Sequence, residues 1–229
     1  MHLINTEFIA FTDDATPTTF SHTNASLWVA IAQFDSVTTA NTKLTRPQLH
    51  QAQRQAVRQL LKQTLEKLNI QDTIDSTTYP YRLYKTQYYI CFSHSQYWVS
   101  CALHKQLPIG IDIEKNIIKH SIAQRFFHQR VLTKYTQLEP QYQPTYLKLC
   151  WMLAEACLKK ENGKQLATYL QRDHTCIAQQ LICFLEYRQN EANKIEQNSI
   201  SIKAQDLSKQ YQHLAAIIYL PYSSLIIVI

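Results

Sequence analysis

The chain has only two glycines among its 229 residues, Gly110 and Gly163. Average usage of about 7% would supply several times as many, so we expect a specific structural reason at each position. Gly110 lies in the alternating segment Ile109-Gly110-Ile111-Asp112-Ile113-Glu114. A strand period of two places the three isoleucines on one face, and Gly110, Asp112 and Glu114 on the other.

The two acids of this segment are adjacent on one face. Asp112 and Glu114 repel each other unless water, a cation or a basic partner intervenes, and Mg²⁺ prefers such oxygen-rich pairs. The alternative is an edge strand with ordinary exposed acids, one of them paired with Lys115. The hexapeptide alone favours neither interpretation.

A second acid–base constellation lies in Trp151-Met152-Leu153-Ala154-Glu155-Ala156-Cys157-Leu158-Lys159. Helical spacing places Glu155 and Lys159 one turn apart on the same face. The alternative is a surface ion pair that contributes about 0.2–0.5 kcal/mol. Because the flanking residues are strongly apolar, we expect much of this helix to be buried, and a charged acid there needs a cation.

His94 lies between two serines, Ser93 and Ser95. We predict this triplet at the tip of a hairpin, where an imidazole and two hydroxyls are suited to bind an anion such as phosphate. The alternative is an ordinary solvated histidine. No Gly-x-Ser-x-Gly elbow is present, so the triplet does not indicate a hydrolase.

Helical and strand-like patterns alternate along the whole chain, which predicts an α+β fold without a long linker. The predicted helices are 48–69, whose polar face is basic, 117–135 and 142–160. The predicted strands are 26–34, 88–92, 98–103, 108–114, 182–187, 200–203, 214–219 and 225–229.

Composition narrows the cellular setting and the partners. The net charge of +6 favours acidic partners, although a basic surface that serves only solubility is the alternative. None of the six cysteines forms a CxxC pair, so buried reduced thiols are expected rather than zinc or disulfides. No secretory signal and no segment of membrane-spanning length is recognisable, which predicts a cytoplasmic protein without a membrane anchor.

Five segments in order resemble the phosphopantetheinyl transferases of the surfactin-synthetase-activating type. The resemblance covers about residues 50 to 167, and the two ends follow only the coarse pattern. The segments are Phe92-Ser93-His94-Ser95, Ile109-Gly110-Ile111-Asp112-Ile113-Glu114-Lys115, Ile122-Ala123-Gln124-Arg125-Phe126-Phe127, Trp151 to Lys159, and Glu161-Asn162-Gly163-Lys164.

The resemblance implies a pseudo-dimer of two similar α/β halves, with residues 1–110 forming the first half and 111–229 the second. Coenzyme A and Mg²⁺ would bind in the cleft between the halves. The enzyme would move the phosphopantetheine arm of coenzyme A to a serine of an apo carrier protein and release adenosine 3′,5′-bisphosphate. Its length is typical of the broad-specificity monomeric branch of the family.

The resemblance also implies roles for individual residues. The implied Mg²⁺ ligands are Asp112, Glu114 and Glu155. The implied catalytic residues are Glu155, Lys159 and Asp112. Those that would bind coenzyme A are His94 with Ser93 at the pyrophosphate, Lys159 at the transferring phosphate, Lys85 at the nucleotide, and Arg54 or Arg58 at the nucleotide phosphates. Either Glu155 or a metal-bound water would take the proton of the carrier serine.

Two positions depart from the family pattern. Ala154 stands where a lysine usually precedes the metal-binding glutamate, and Lys85-Thr86 stands where Lys-Pro is usual. Ala154 motivates one rival function, a coenzyme A binder without transfer activity.

A second rival is a nucleic-acid-binding protein. The basic helix 48–69 suggests it, but no recognised nucleic-acid motif accompanies the charge, so we expect no nucleic-acid partner. The expected partner is an acidic acyl, peptidyl or aryl carrier protein, which would dock through apolar contacts around Phe126, Phe127 and Leu132. The alternative for these three residues is the ordinary core of their helix. The sequence leaves open whether the carrier serves fatty-acid, polyketide, nonribosomal-peptide or siderophore assembly.

Overall fold

The computed structural model shows an α+β protein built on two antiparallel sheets, which confirms the predicted fold class. It describes residues 2–11, 17–18, 25–34, 44–77 and 79–175, and the backbone of strands within 200–203, 214–220 and 223–228. The predicted strand 182–187 lies outside the described residues. The similarity of two halves, with a boundary at residue 110, stays a prediction.

The first sheet has seven strands, in the order β2-β1-β3-β7-β6-β5-β4. Their bounds are β1 Leu3–Phe11, β2 Pro17–Thr18, β3 Leu27–Phe34, β4 Ile74–Asp75, β5 Arg82–Leu83, β6 Tyr89–Ser95 and β7 Trp98–His104. The inner strand β3, between β1 and β7, is predicted correctly. It is buried on both faces, as its continuous apolar sequence indicates.

Helix α1, Arg46–Lys67, covers one face of this sheet. It begins with a proline in its first turn, and the Thr45 amide donates to Gln48 Oε1 at 2.9 Å. Its buried positions recur every three or four residues, from Gln53 to Leu65. The amphipathic helix predicted from the sequence is therefore confirmed.

The second sheet has four strands, in the order β8-β11-β10-β9. Their bounds are β8 Gly110–Glu114, β9 Ile200–Lys203, β10 Leu214–Leu220 and β11 Ser223–Val228, and the other helices are α2 His120–Phe126, α3 Gln129–Gln137, α4 Gln143–Lys160 and α5 Leu166–Leu170. Helix α4 packs on β8 and β11. The strands predicted in the tail are thus confirmed within the described residues.

The isoleucines of the β8 segment face the core, as the alternation predicts. Ile109, Ile111 and Ile113 pack with apolar residues on the face of the first sheet that lies opposite α1. The other face of β8 does not open to solvent, because α4 covers it and Asp112 is only 3% exposed. The acidic face of this strand is therefore a buried interface between strand and helix.

Both glycines have negative φ and allow close packing rather than turns. A Cβ atom on Gly110 would lie 1.8 Å from the carbonyl oxygen of Ala156 in α4. A Cβ atom on Gly163 would lie 2.5 Å from the Tyr169 hydroxyl. The positive-φ positions are taken by asparagine and glutamine instead, at Asn5, Asn69, Gln87, Gln96 and Asn162.

Two elements differ from the prediction. The hairpin turns at Gln96-Tyr97, so Ser93, His94 and Ser95 lie within β6 and not at its tip. Gln96 takes a positive φ of 51° without a glycine to signal it. The predicted helix 117–135 is two helices, because Phe127 is extended and the His128 side chain caps α3 by accepting from the Arg130 amide.

The four cysteines within the described part of the chain, Cys91, Cys101, Cys150 and Cys157, are buried thiols and form no disulfide there. The expectation of reduced thiols is confirmed for these four. Cys176 and Cys183 lie outside the described residues.

Candidate functional site

A cleft of about 520 Å³ opens between α1, the segment that leads into β5, strand β6 and helix α4. Four elements that are distant in sequence therefore contribute to one cavity. Its lining residues are Arg54, Val57, Arg58, Ile74, Ser76, Tyr81, Phe92, Ser93, His94, Glu155 and Lys159.

The Lys159 ammonium is the centre of the polar network at this cleft. Its Nζ donates to Asp112 Oδ1 at 2.7 Å, to Ser93 Oγ at 2.9 Å and to the Ile111 carbonyl oxygen at 3.0 Å. A lysine ammonium has three hydrogens, so these bonds use all of its donors. Glu155 Oε2 lies 3.7 Å away on the preceding turn of α4. One ammonium thus stands between carboxylates from β8 and α4.

Burial and charge act in opposite directions on this network. Burial disfavours the ammonium of Lys159, but the attraction of Asp112, Cys91 and Glu155 raises its pKa overall. Burial raises the pKa of Asp112 to about 7, although Lys159 and Ser93 favour the carboxylate. The pair is therefore a buried charge site with one satisfied cation and one strongly desolvated acid.

Glu155 is the acid that faces the cleft. It belongs to the cavity lining, and its side chain is 29% exposed. Its Oε1 accepts from the Trp151 indole Nε1 at 2.9 Å, which leaves Oε2 toward Lys159. Asp112, by contrast, does not belong to the lining and lies behind Ser93 and Lys159.

Glu114 is held by a different set of partners. Its Oε1 accepts from Ser95 Oγ at 2.5 Å, from the Asn116 amide at 2.7 Å and from Asn116 Nδ2 at 3.0 Å. It does not belong to the cavity lining. The structure therefore brings Asp112 and Glu155 together around Lys159, and it holds Glu114 by a separate set of bonds.

His94 and Arg54 both belong to the lining of the cleft, and their binding of coenzyme A stays a prediction. The ring centroid of His94 lies 6.1 Å from that of His50, which is one turn before Arg54 on α1. Burial, Lys159 and His50 lower the pKa of His94, and Glu155 opposes the shift. We therefore expect an imidazole at pH 7 that is neutral and has one N–H to donate.

Lys85 is placed away from this group. It lies on a turn whose Lys85 and Thr86 amides donate to the carboxylate of Asp72, while Lys85 Nζ donates to the Gln71 carbonyl oxygen at 3.3 Å. It does not belong to the lining of the cleft. Asp72, which holds this turn, lies outside the segment Tyr84-Lys85-Thr86 from which the nucleotide contact of Lys85 was predicted.

The donors and acceptors test whether Mg²⁺ fits. In residues 44–175, apart from residue 78, and in the other described ranges, no three His, Cys, Asp or Glu side chains converge as a metal site. Asp112 and Glu155 nevertheless surround one cation already. Among the described contacts, Asp112 binds through Oδ1 alone and Glu114 through Oε1 alone, which leaves the second oxygen of each. Asp112 and Glu155 therefore fit a cation, and Glu114 stays a predicted ligand.

Several residues at the site were not predicted. Tyr79 donates its hydroxyl to the Lys159 carbonyl oxygen at 2.6 Å, and Tyr81 and Phe92 form an aromatic wall beside it. Burial raises the pKa of Tyr79, so it acts as a neutral donor. The tyrosines carry no recognisable sequence pattern. Ser95, which the sequence predicts beside His94 as an anion-binding hydroxyl, does not belong to the cavity lining and donates to Glu114 instead.

Neither the helices nor the comparisons with known proteins identify a family for this cleft. None of the helices in the described ranges has the length and apolar character needed to cross a bilayer. The features of the molecule that bear on function are the cleft, its basic groups and the carboxylates around Lys159. No family model matches the chain, and no curated protein matches it.

Proposed function

We propose that this protein is a Mg²⁺-dependent phosphopantetheinyl transferase. It would move the phosphopantetheine arm of coenzyme A to a serine of an apo carrier protein and release adenosine 3′,5′-bisphosphate. The observation that supports this most strongly is the meeting of Asp112 and Glu155, which are 43 positions apart in the sequence, around one cation position at a basic cleft. We also infer the corresponding pseudo-dimer, with halves 1–110 and 111–229.

The cleft suits a substrate with several phosphates. Arg54 and Arg58 line it from α1, His94 from β6 and Lys159 from α4. Guanidinium groups bind phosphate with two parallel hydrogen bonds, whereas lysine acts as a point charge. The apolar lining residues Val57, Ile74 and Phe92 would contact uncharged parts of the same ligand.

Asp112 and Glu155 would hold the Mg²⁺, with Glu114 as the third predicted ligand. When bound, the ion would neutralise charge on the pyrophosphate and on the leaving nucleotide. Phosphoryl transfer needs positioning and charge neutralisation more than covalent help from the protein. Lys159 and His94 would supply further donors to the phosphates.

Glu155 is the protein group best placed to take the proton of the attacking serine. Glu155 belongs to the cavity lining and its side chain is 29% exposed, whereas Asp112 is buried behind Ser93 and Lys159. A carrier serine that enters the cleft would therefore meet Glu155 before Asp112. The serine oxygen would attack the β-phosphorus as its proton passes to Glu155 Oε2, and the nucleotide oxygen would leave.

The carrier protein would dock beside the α2–α3 region. Residues 115–138 contain five lysines and arginines and no acidic residue, which complements an acidic carrier. The exposed apolar residues here are Ile117 at 68% and Ile122 at 38% exposure. Of the three residues predicted for docking, Phe127 is buried in the core, and Phe126 and Leu132 are half-buried against it.

The direct test is a mass measurement on an apo carrier protein incubated with this protein, coenzyme A and Mg²⁺. The proposal expects the carrier to gain one phosphopantetheine arm, and expects no gain with the Asp112→Ala variant. Ser100→Ala is the matched control, since Ser100 is buried on β7 and does not belong to the lining of the cleft. A wild-type protein that never modifies any carrier class contradicts the proposal.

One observation favours a second candidate, a coenzyme A binder without transfer. Ala154 is fully buried among the apolar residues of α4, so the lysine usual in the family has no room in this packing. Calorimetric binding of coenzyme A without carrier modification would identify this function. Salt-sensitive binding to generic nucleic acid instead would support the remaining rival.

A further inference from the structure

The contact between the two sheets is a ladder of side chains rather than a pairing of strands. Strand β8 is the edge of the second sheet, and β6 of the first sheet lies against it. An edge strand presents backbone groups that need partners when buried. The Ile113 amide donates to Ser93 Oγ at 3.2 Å, and the Lys115 amide donates to Ser95 Oγ at 3.1 Å.

The same two serines hold the acids of β8. Ser93 Oγ donates to Asp112 Oδ1 at 2.8 Å, and Ser95 Oγ donates to Glu114 Oε1 at 2.5 Å. Each serine therefore accepts the amide of one residue and donates to the carboxylate of the residue before it. The unit repeats with the two-residue period of both strands.

Cys91 occupies the position two residues before Ser93 on the same face of β6. Burial raises the pKa of its thiol, and the Ile111 amide opposes part of that rise. A thiol is a weak donor, and the residue before Ile111 is Gly110, which has no carboxylate to receive a proton. Only the two hydroxyl positions of the ladder stand opposite acids.

The hydrogen-bonding capacity of Ser93 is fully used. A serine hydroxyl has one donor and two acceptor sites. Ser93 donates to Asp112 and accepts from Ile113 and Lys159 Nζ. To bind a phosphate, as the sequence predicts, it would have to give up one of these bonds.

We propose that Ser93 and Ser95 are positioning residues, which fix the side-chain rotamers of Asp112 and Glu114 by bonding each carboxylate and the following amide at once. The proposal deepens the proposed function and rests on it as far as metal binding is concerned. Partners that orient metal-binding carboxylates commonly matter about 10–100-fold in metal affinity. The ladder also ties the acids to the first sheet, which carries His94.

The experiment compares Ser93→Ala and Ser95→Ala with Ser100→Ala. Ser100 is equally buried and pairs with Ser93 across β6 and β7, but it contacts no acid among the described residues. Three quantities are measured by NMR and calorimetry. They are amide hydrogen exchange at Ile113 and Lys115, three-bond couplings that report the Asp112 rotamer, and affinity for Mn²⁺.

We expect Ser93→Ala to speed hydrogen exchange of the Ile113 amide about tenfold, and Ser95→Ala to do the same for the Lys115 amide. A tenfold change corresponds to one lost hydrogen bond. Ser93→Ala should also turn the Asp112 couplings from one rotamer to an average, and both variants should weaken Mn²⁺ binding by about 10–100-fold. Ser93→Cys keeps the acceptor and a weak donor, so it should give an intermediate result.

Equal effects from Ser100→Ala, or unchanged exchange and couplings in Ser93→Ala, overturn the proposal. A wild-type protein that takes up no Mn²⁺ counts against the proposed function instead. Exchange rates and couplings need no metal, so they still decide whether the serines hold the acids.

Discussion

Replacing Gly110 by alanine tests whether the site depends on the close approach of α4 to β8. The new Cβ atom would lie 1.8 Å from the Ala156 carbonyl oxygen and 2.7 Å from its carbonyl carbon, both of them backbone atoms. An ordinary carbon–oxygen contact is about 3.3 Å, so α4 must retreat by roughly 1.5 Å. No side-chain rotation can relieve the overlap.

Such a retreat acts on stability and on the site together. Overpacking of this kind costs about 1–3 kcal/mol of the free energy of unfolding. The bonds from Lys159 Nζ to Asp112 and to the Ile111 carbonyl, now 2.7 and 3.0 Å, would lengthen beyond hydrogen-bonding distance. A misplacement of about 1 Å can cost about 100-fold in rate, so we expect carrier modification to fall by about that factor.

Gly163→Ala is the matched control. Its Cβ atom would meet the Tyr169 ring and Leu158 Cδ1, which are side-chain atoms that can move. Urea unfolding should show a smaller loss of stability than for Gly110→Ala, and carrier modification should stay close to wild type. Equal stability losses in the two variants, with full transfer by Gly110→Ala, would refute the packing argument.

Three further predictions concern the charges. At pH 8, Lys159→Met should reduce the free energy of unfolding by about 3–5 kcal/mol, because it leaves the buried Asp112 carboxylate without its cation, and Asp112→Asn should cost less, because an amide carries no charge to desolvate; the double variant should lose less than the sum; urea unfolding of all four proteins checks this. NMR titration should place the pKa of His94 below 6.5, with Lys159→Met raising it and Glu155→Gln lowering it further, since Lys159 disfavours and Glu155 favours the imidazolium; shifts of the opposite signs would contradict the assigned contacts. The pKa of Asp112 is raised from 3.8 to about 7, so the native state binds the extra proton, and its contribution to stability should be complete below pH 3.8 and be lost as pH rises to about 7; Asp112→Asn should remove that slope from a series of unfolding curves.

The sequence predicts those parts of the fold that one period dominates. The apolar run of β3 predicts a buried strand, the spacing in α1 predicts an amphipathic helix, and the alternation in β8 predicts a strand with one apolar face. The structure confirms all three. The errors lie where one side chain overrides the pattern. His128 caps a new helix inside a continuous period, and Gln96 adopts a left-handed turn that normally signals itself by glycine.

The sequence predicts the two acids and the lysine of the candidate site, but it does not predict that Asp112 is buried. Asp112, Glu155 and Lys159 were identified from spacing within their own segments, and the structure brings them together. Spacing cannot tell that α4 covers Asp112, since that depends on the packing of Gly110 against Ala156. It also cannot tell that Lys85 belongs to a turn held by Asp72, because the two are 13 residues apart.

The close packing at Gly110 has a consequence for how the site neutralises charge. Asp112 lies beneath α4, where a carboxylate is stable only with a cation and with hydrogen bonds to its oxygens. Lys159 can supply that cation because the helix approaches β8 closely enough for Nζ to reach both Asp112 and the Ile111 carbonyl. All three of its hydrogens are then committed, so in the proposed function Lys159 would turn toward a phosphate only when a metal ion or a proton neutralises Asp112. Neutralisation of Asp112 and the proposed binding of phosphate by Lys159 would therefore be coupled through a single ammonium group.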